Sequence, residues 1–297
     1  MKRQPLFAAA ATLAFALALA GCVQPVDQAE LAAGHSELAA DARETAAGAA
    51  VDQAALAAAI AAPTRTPANL ARDRYRHPLE TLSFFGIESD DTVVEIWPGG
   101  GWYTEILAPY LAGGGGRLWA VAPEWGIGGV TKLKAANAGV YGAVQTAGFP
   151  AFDGAAAGVP DGSADVVLTF RNVHNWRMGY QRQGRDYSAE AFAQMYRMLR
   201  PGGTLGVVDH RLPENASEER ERSSGYIKVS TVRRLAQAAG FHFVAASEIN
   251  ANPRDTADWP DGVWTLPPTL RLGERDRERY LAIGESDRMT LRFVKPR

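Results

Sequence analysis

Thr92-Val93-Val94-Glu95-Ile96-Trp97-Pro98-Gly99-Gly100-Gly101-Trp102-Tyr103-Thr104 is the stretch that decides how this chain folds. Its first half is almost continuously apolar and rich in β-branched residues, as expected of a strand covered on both faces. Pro98 stops the strand, and Gly99 to Gly101 leave a turn without Cβ atoms, which a ligand can approach closely. Trp102 to Leu111 then reads as a helix. Buried strand, glycine turn and helix in succession open a βαβ unit.

The alternation continues on both sides. Upstream, His77 to Gly86 reads as a short helix with Leu79, Leu82 and Phe85 on one face and Gly86 as its cap. Downstream, Gly113 to Gly116 turn into a second strand, Arg117 to Val121, and Gly142 to Thr146 is a weaker third. Asp165 to Phe170 is the fourth and Thr204 to Asp209 the fifth, separated by a helix from Ser188 to Leu199. A helix from Ser230 to Ala239 ends at Gly240, and Phe241 to Ser247 and Met289 to Val294 complete the set. Strands alternating with helices predict an α/β fold with a doubly wound, mostly parallel, seven-stranded sheet. Between the last two strands lies a long insert with Trp259, Pro260, Trp264, Pro267 and Pro268, which can cover a site or merely anchor a surface loop. The run from Arg271 to Arg279 alternates charge sign and reads as a solvated helix face.

A glycine turn alone selects little. Dinucleotide-binding turns carry G-x-G-x-x-G, and Thr104 stands where the third glycine would be. Other segments speak for a different family. Tyr196-Arg197-Met198-Leu199-Arg200-Pro201-Gly202-Gly203-Thr204-Leu205 is similar to the helix, Pro-Gly turn and fifth strand of class I S-adenosylmethionine-dependent methyltransferases, and Pro160 to Val167 looks like their entry to the fourth strand. The segments Glu95 to Thr104, Leu168 to Trp176 and Val208 to Arg211 resemble a group of predicted bacterial methyltransferases. The resemblance implies a Rossmann-like class I fold, methyltransferase activity and S-adenosylmethionine as cofactor. It also implies that Glu95 and the backbone of Gly99 and Gly101 hold the methionine part and that Asp153 meets the adenine. Phe170, Arg171 and Asn172 would line the floor under the methyl group. Two positions depart from the family: Ala122 replaces the acid that ends the second strand and binds the ribose, with Glu124 as a nearby substitute, and Trp97 stands where many members have glycine.

Methyl transfer needs positioning of the acceptor and, where the acceptor is protonated, a base. Ligands of open α/β sheets bind at the carboxyl ends of the strands, and His174 and His210 follow the fourth and fifth strands there. With Asn172 they are the candidate catalytic residues. The competing reading gives each histidine a structural hydrogen bond. His35 and His77 fall in the tether and a capping segment, and His242 falls within a strand, as packing. Neither CxxC nor HExxH occurs, so no metal site is expected, and neither a G-x-S-x-G elbow nor a P-loop is present.

Hydrophobic residues make up 46% of the 297 and charged ones 22%, enough to build a core and too much apolar content for wholesale disorder. With 31 basic against 33 acidic residues there is no excess to attract nucleic acid. The single cysteine, Cys22, excludes an internal disulfide. It follows a basic start, Lys2-Arg3, and an uncharged run from Leu6 to Ala20 that as a helix covers only about 22 Å, short of the roughly 30 Å core of a bilayer. Such a segment reads as a secretory signal. Leu19-Ala20-Gly21-Cys22 resembles a bacterial lipobox, which implies cleavage before Cys22, lipidation of its thiol and a periplasm-facing envelope location, with Val23 favouring the outer membrane. Two or three acyl chains hold a protein firmly where one does not. Alanine fills 17 of the 34 positions from 29 to 62, so this stretch reads as a helical or partly unfolded tether. The expected organisation is a signal peptide over 1–21, lipidated Cys and tether over 22–67, and a methyltransferase-like domain over 68–297. A small-molecule or envelope acceptor is expected; the alternative is a binding or scaffolding lipoprotein that kept the fold without the reaction.

Overall fold

Five apolar segments that need cover on both faces assemble side by side in the computed structural model, which describes residues 52–152 and 158–297. The strands are β1 (Thr92–Ile96), β2 (Arg117–Val121), β3 (Gln145–Ala147), β4 (Ala164–Phe170), β5 (Leu199–Leu212), β6 (Ile227–Lys228), β7 (His242–Ser247) and β8 (Arg288–Val294). The sheet order is β3-β2-β1-β4-β5-β8-β7. The first five of these run parallel, and β8 lies antiparallel between β5 and β7. This is the doubly wound, Rossmann-like class I methyltransferase fold. The sheet has one strand more than the seven expected, because β5 runs past Asp209 and the two residues of β6 pair with its end.

The helices are α1 (52–60), α2 (Pro67–Leu70), α3 (Asp73–Arg76), α4 (Pro78–Phe85), α5 (Thr104–Gly114), α6 (Gly128–Ala136), α7 (Ala138–Tyr141), α8 (Val173–Arg177), α9 (Ser188–Met198), α10 (Glu218–Ser223), α11 (Val229–Ala238) and α12 (Arg277–Ile283). Gly86 caps α4 at φ +70°, as its position suggested. Two cores form, one on each face. Val94, Ile96, Val167, Leu205 and Val207 pack against Trp176, Phe192 and Met195 on one side. Val93, Leu168 and Val208 pack against Leu82, Phe85, Ile106 and Leu107 on the other.

The alanine-rich stretch is not all tether. Leu56 and Ala59 of α1 are buried in the second core, and the Asp52 carboxylate accepts hydrogen bonds from the Ser89 amide and the Tyr110 hydroxyl. A slim alanine helix approaches its neighbours closely, so two apolar side chains suffice to seat it. The packed unit therefore includes α1 and reaches back before residue 67. His242 belongs to the edge strand β7 and is exposed, since only its partner side is covered. Cys22, the signal segment, His35 and Asp153 lie outside the described residues. Among the described residues no helix is long and apolar enough to cross a membrane.

Candidate functional site

The glycine turn after β1 has an open part and a covered part. Gly99 (φ +59°) and Gly100 face space in which an added Cβ would meet nothing within 4 Å. Gly101 (φ +84°) is buried, and a Cβ there would sit 2.5 Å from Leu133 Cδ1 of α6. Gly99 and Gly100 are exposed, whereas Gly101 is covered by Leu133 and its amide donates to the Pro98 carbonyl at 2.9 Å. Glu95 lies behind the turn, 2% exposed, and accepts a 2.6 Å hydrogen bond from the Thr104 hydroxyl. Burial raises its carboxyl to about 7, against the lowering effect of that bond.

Trp97 takes a left-handed backbone (φ +51°) at the tip of β1. Its indole Nε1–H donates to the Phe149 carbonyl at 2.9 Å, and the ring meets Trp125 and Trp176 edge-on at 5.1 and 5.9 Å. The ring thus spans the space between the tips of β1 and β3. Glu124 opens a short 3-10 turn just past β2 and is exposed, while Ala122 is buried. The exposed side of Gly99 and Gly100 offers backbone to a polar ligand end.

The β4 tip departs from the expected floor. Phe170 stacks on Tyr103, centroids 3.5 Å apart and nearly coplanar, so its face is already covered. The Asn172 amide donates to the Ile96 carbonyl at 2.9 Å and to Thr169 Oγ1 at 3.2 Å, which ties β4 to β1. Its donors are spent on the sheet, which makes it a positioning residue and not the catalytic group expected. Arg171, with φ +64°, turns away from the glycine turn into a cavity of about 170 Å³ that it shares with His174, Asn175, His210, Trp264 and Ser286.

Pairing of β4 with β5 brings the two histidines together, ring centroids 5.0 Å apart. Asp209, fully buried at the end of β5, organises both. One carboxylate oxygen lies 2.7 Å from His174 Nδ1 and accepts from the His210 amide at 2.7 Å; the other accepts from the His174 amide at 3.2 Å. His210 Nδ1 meets the Ser286 hydroxyl. Burial first, and then the neighbouring His174 ring and the charges of Arg171, Arg288 and Arg76, hold the His210 imidazole well below its ordinary value, so it is neutral at pH 7.

The insert before β8 closes the cavity with Val263, Trp264, Pro267 and Pro268 and contributes Glu285 and Ser286. Glu285 gathers three guanidiniums: Arg72 Nε at 2.6 Å, Arg288 Nη1 at 3.2 Å and Arg76 Nε at 3.5 Å. Burial alone would raise its carboxyl, but Arg288, Arg76 and the Arg72 hydrogen bond outweigh this and hold it at about 2. Donor atoms of His174, Asp209 and His210 lie within 4.8 Å of one another, a spacing that can hold a metal ion. Two of those atoms already bond each other, His210 faces Ser286, and three arginines act on His210, all of which disfavour a cation. Asp209, Glu285, Ser286, Arg76 and Arg288 were not singled out from the sequence. For Asp209 a signal existed, its place beside His210 at a strand end.

Residues 95–207 match the family model of a methyltransferase domain. Solved structures similar to this chain include the 4+2 cyclase SpnF (14% identity, 74% of this chain and 82% of that one, TM-score 0.51). Another is phosphoethanolamine N-methyltransferase 2 of Haemonchus contortus, in complex with S-adenosyl-L-methionine (17%, 75% and 53%, TM-score 0.50). A third is a SAM-dependent methyltransferase from Aquifex aeolicus (13%, 76% and 93%, TM-score 0.49). No curated protein sequence matches the chain. The matched segment runs from β1 into β5, and the sheet order agrees with the fold of that domain.

Proposed function

We propose that this enzyme methylates a small molecule or envelope component from a lipid-anchored position, with His174 as the base. The observation that carries the reading is the Asp209–His174 pair at the carboxyl ends of β4 and β5, where the fold receives ligands. When bound, S-adenosylmethionine supplies an electrophilic methyl group. Gly99 and Gly100 offer it backbone that is open on the side away from Gly129 of α6, with Glu95 behind them. Asp209 accepts from His174 Nδ1–H, which fixes the tautomer and leaves the Nε2 lone pair free to take a proton from an acceptor hydroxyl or amine. His210, kept neutral, adds no charge to this proton transfer. Cys22 supports the anchor, preceded by an apolar run too short to span and by a lipobox-like Leu19-Ala20-Gly21. On this reading residues 1–21 are removed and the tether runs from Cys22 to α1, at the periplasmic face.

Calorimetric titration of S-adenosylhomocysteine into the protein tests the enzyme reading: binding is expected, and no heat at millimolar concentration rejects it, since a 1 mM Kd still corresponds to about -4 kcal/mol. Cys22→Ala tests the anchor, and protein that still partitions with membranes rejects it. A second reading, a lipoprotein that binds without turnover, is favoured by Ala122 in place of a ribose-binding acid and by Trp97 in the cleft. It expects cofactor binding to be dispensable, so that a variant unable to bind S-adenosylhomocysteine still complements a deletion.

A further inference from the structure

We propose that the cavity between the β4 and β5 tips and the insert is an anion-binding subsite for the methyl acceptor, which carries a carboxylate or phosphate held by Arg171. The inference rests on the methyltransferase reading for the word acceptor; the anion site itself rests on geometry.

Four guanidiniums, from Arg72, Arg76, Arg171 and Arg288, act on one another and on one carboxylate, Glu285. Glu285 bonds three of them, and among the described residues the Arg171 side chain has neither a hydrogen-bond nor an ion-pair partner. The buried cluster therefore carries more positive than negative charge, an arrangement that is costly unless an anion completes it. The other guanidiniums of the cluster lie behind the cavity lining, and they too keep donors without acceptors. Arg76 is 2% exposed and its Nη2 finds no acceptor; Arg72 Nη2 and Arg288 Nε are likewise buried and unsatisfied. Burial, opposed mainly by Glu285, brings the Arg171 guanidinium down to about 10, so it is still charged at pH 7.

The backbone is bent to deliver this group. Arg171 adopts φ +64°, a conformation that is unfavourable for a long side chain and is found where the surroundings impose it. With the Asp209 carboxylate on the histidines counted beside Glu285, four guanidiniums still stand against two carboxylates, and the planar guanidinium is the side chain suited to bidentate contact with carboxylate or phosphate. Size fits a headgroup and not a whole molecule: about 170 Å³ is below the roughly 300 to 1,000 Å³ of complete ligand sites. A second cavity, about 600 Å³, shares Glu285 and Ser286 with the first and is lined by Arg74 and Arg254.

The same chemistry has a second source, the carboxylate of the cofactor, and the test separates the two. Inorganic phosphate is titrated into the full-length protein, wild type, Arg171→Gln and Arg171→Lys, at constant ionic strength set with chloride. Thermal melts and calorimetry are read with and without saturating S-adenosylhomocysteine. The expected result is saturable phosphate binding that chloride does not mimic, weakened at least tenfold in Arg171→Gln and less in Arg171→Lys, and unchanged by S-adenosylhomocysteine. Without phosphate, Arg171→Gln is expected to melt at or above the wild-type temperature, because an uncompensated charge has been removed. Phosphate binding that is absent, insensitive to both substitutions, or displaced by S-adenosylhomocysteine overturns the proposal. Failure of S-adenosylhomocysteine itself to bind strikes the methyltransferase reading instead, and is seen separately in the same titrations.

Discussion

Replacing Glu285 by Gln tests whether the arginine cluster is held together by that one carboxylate. The side chain is 4% exposed and lies 2.6, 3.2 and 3.5 Å from three guanidinium nitrogens. Its folded carboxyl sits at about 2 against an ordinary 4.5, and at about 1.4 kcal/mol per pH unit this depression corresponds to about 3 kcal/mol. Mutational experience with one partner removed from a buried pair gives about 3 to 5 kcal/mol, in agreement. For a domain of this size each kcal/mol moves the midpoint by about 2 to 4 °C, so Glu285→Gln is expected to melt about 6 to 20 °C below the wild type at pH 7. The pH dependence carries a definite sign. A depressed carboxyl contributes its full stabilisation above the unfolded value near 4.5 and loses it as pH falls toward 2, so the gap between the two proteins should close over that interval. Circular-dichroism melts at pH 7, 5, 4 and 3 measure it. A variant within 2 °C of the wild type at pH 7, or a gap that is undiminished at pH 3, refutes the reasoning.

Three further outcomes follow from single contacts. Asp209→Ala leaves up to three buried donors without an acceptor, the His174 amide, His174 Nδ1–H and the His210 amide, and should cost at least about 3 kcal/mol by urea denaturation. Glu95, raised to about 7, contributes its full share of stability below about 4.5 and loses it as pH rises through 7, so Glu95→Gln should exceed the wild type by up to about 3 kcal/mol at pH 8 and match it near pH 4, measured by denaturant titration. Trp97→Gly removes the ring that spans the β1 and β3 tips and suits φ +51°, so calorimetry should show tighter S-adenosylhomocysteine binding than in the wild type; unchanged or weaker binding would mean that the indole forms a wall of the site.

The order of strands and helices was legible because each carries its own period and punctuation: Thr92 to Trp97 needs two covered faces, Gly86 and Gly240 close helices, and Asp165 to Phe170 repeats the buried pattern. The histidine pair was legible for a related reason, since strand ends in a parallel sheet converge on one rim. Asn172 was misjudged because a residue at the same rim can equally turn back and bind the neighbouring strand, and only the distance to the Ile96 carbonyl decides. Gly101 was misjudged because its cover, Leu133, comes from a helix whose weak amphipathicity gives no sign of where it docks. Arg171 pointed the wrong way for want of its φ, which no sequence pattern announces.

What the sequence hid most completely is the role of the insert. Glu285 is 209 residues from Arg76 and 213 from Arg72, and no local rule links a carboxylate near β8 to arginines in and beside α3, at the opposite end of the domain's chain. Yet these contacts hold the insert against the sheet rim, with Trp264 and Pro268 over the histidines. The glycine turn and strand order are features that any methyltransferase of this fold shares, and they say nothing about the acceptor. Discrimination between acceptors must therefore come from groups that the fold does not require, and here those are Arg171, Ser286 and the insert's aromatic and proline walls. A neutral His210 and a charged Arg171 line the same cavity as His174, so an acceptor that paired its negative group with Arg171 would have its adjoining atoms beside the Asp209–His174 pair. On the proposed reading, binding and proton removal would be built on adjacent strand ends, and a change in the insert would alter which molecule is methylated without altering how.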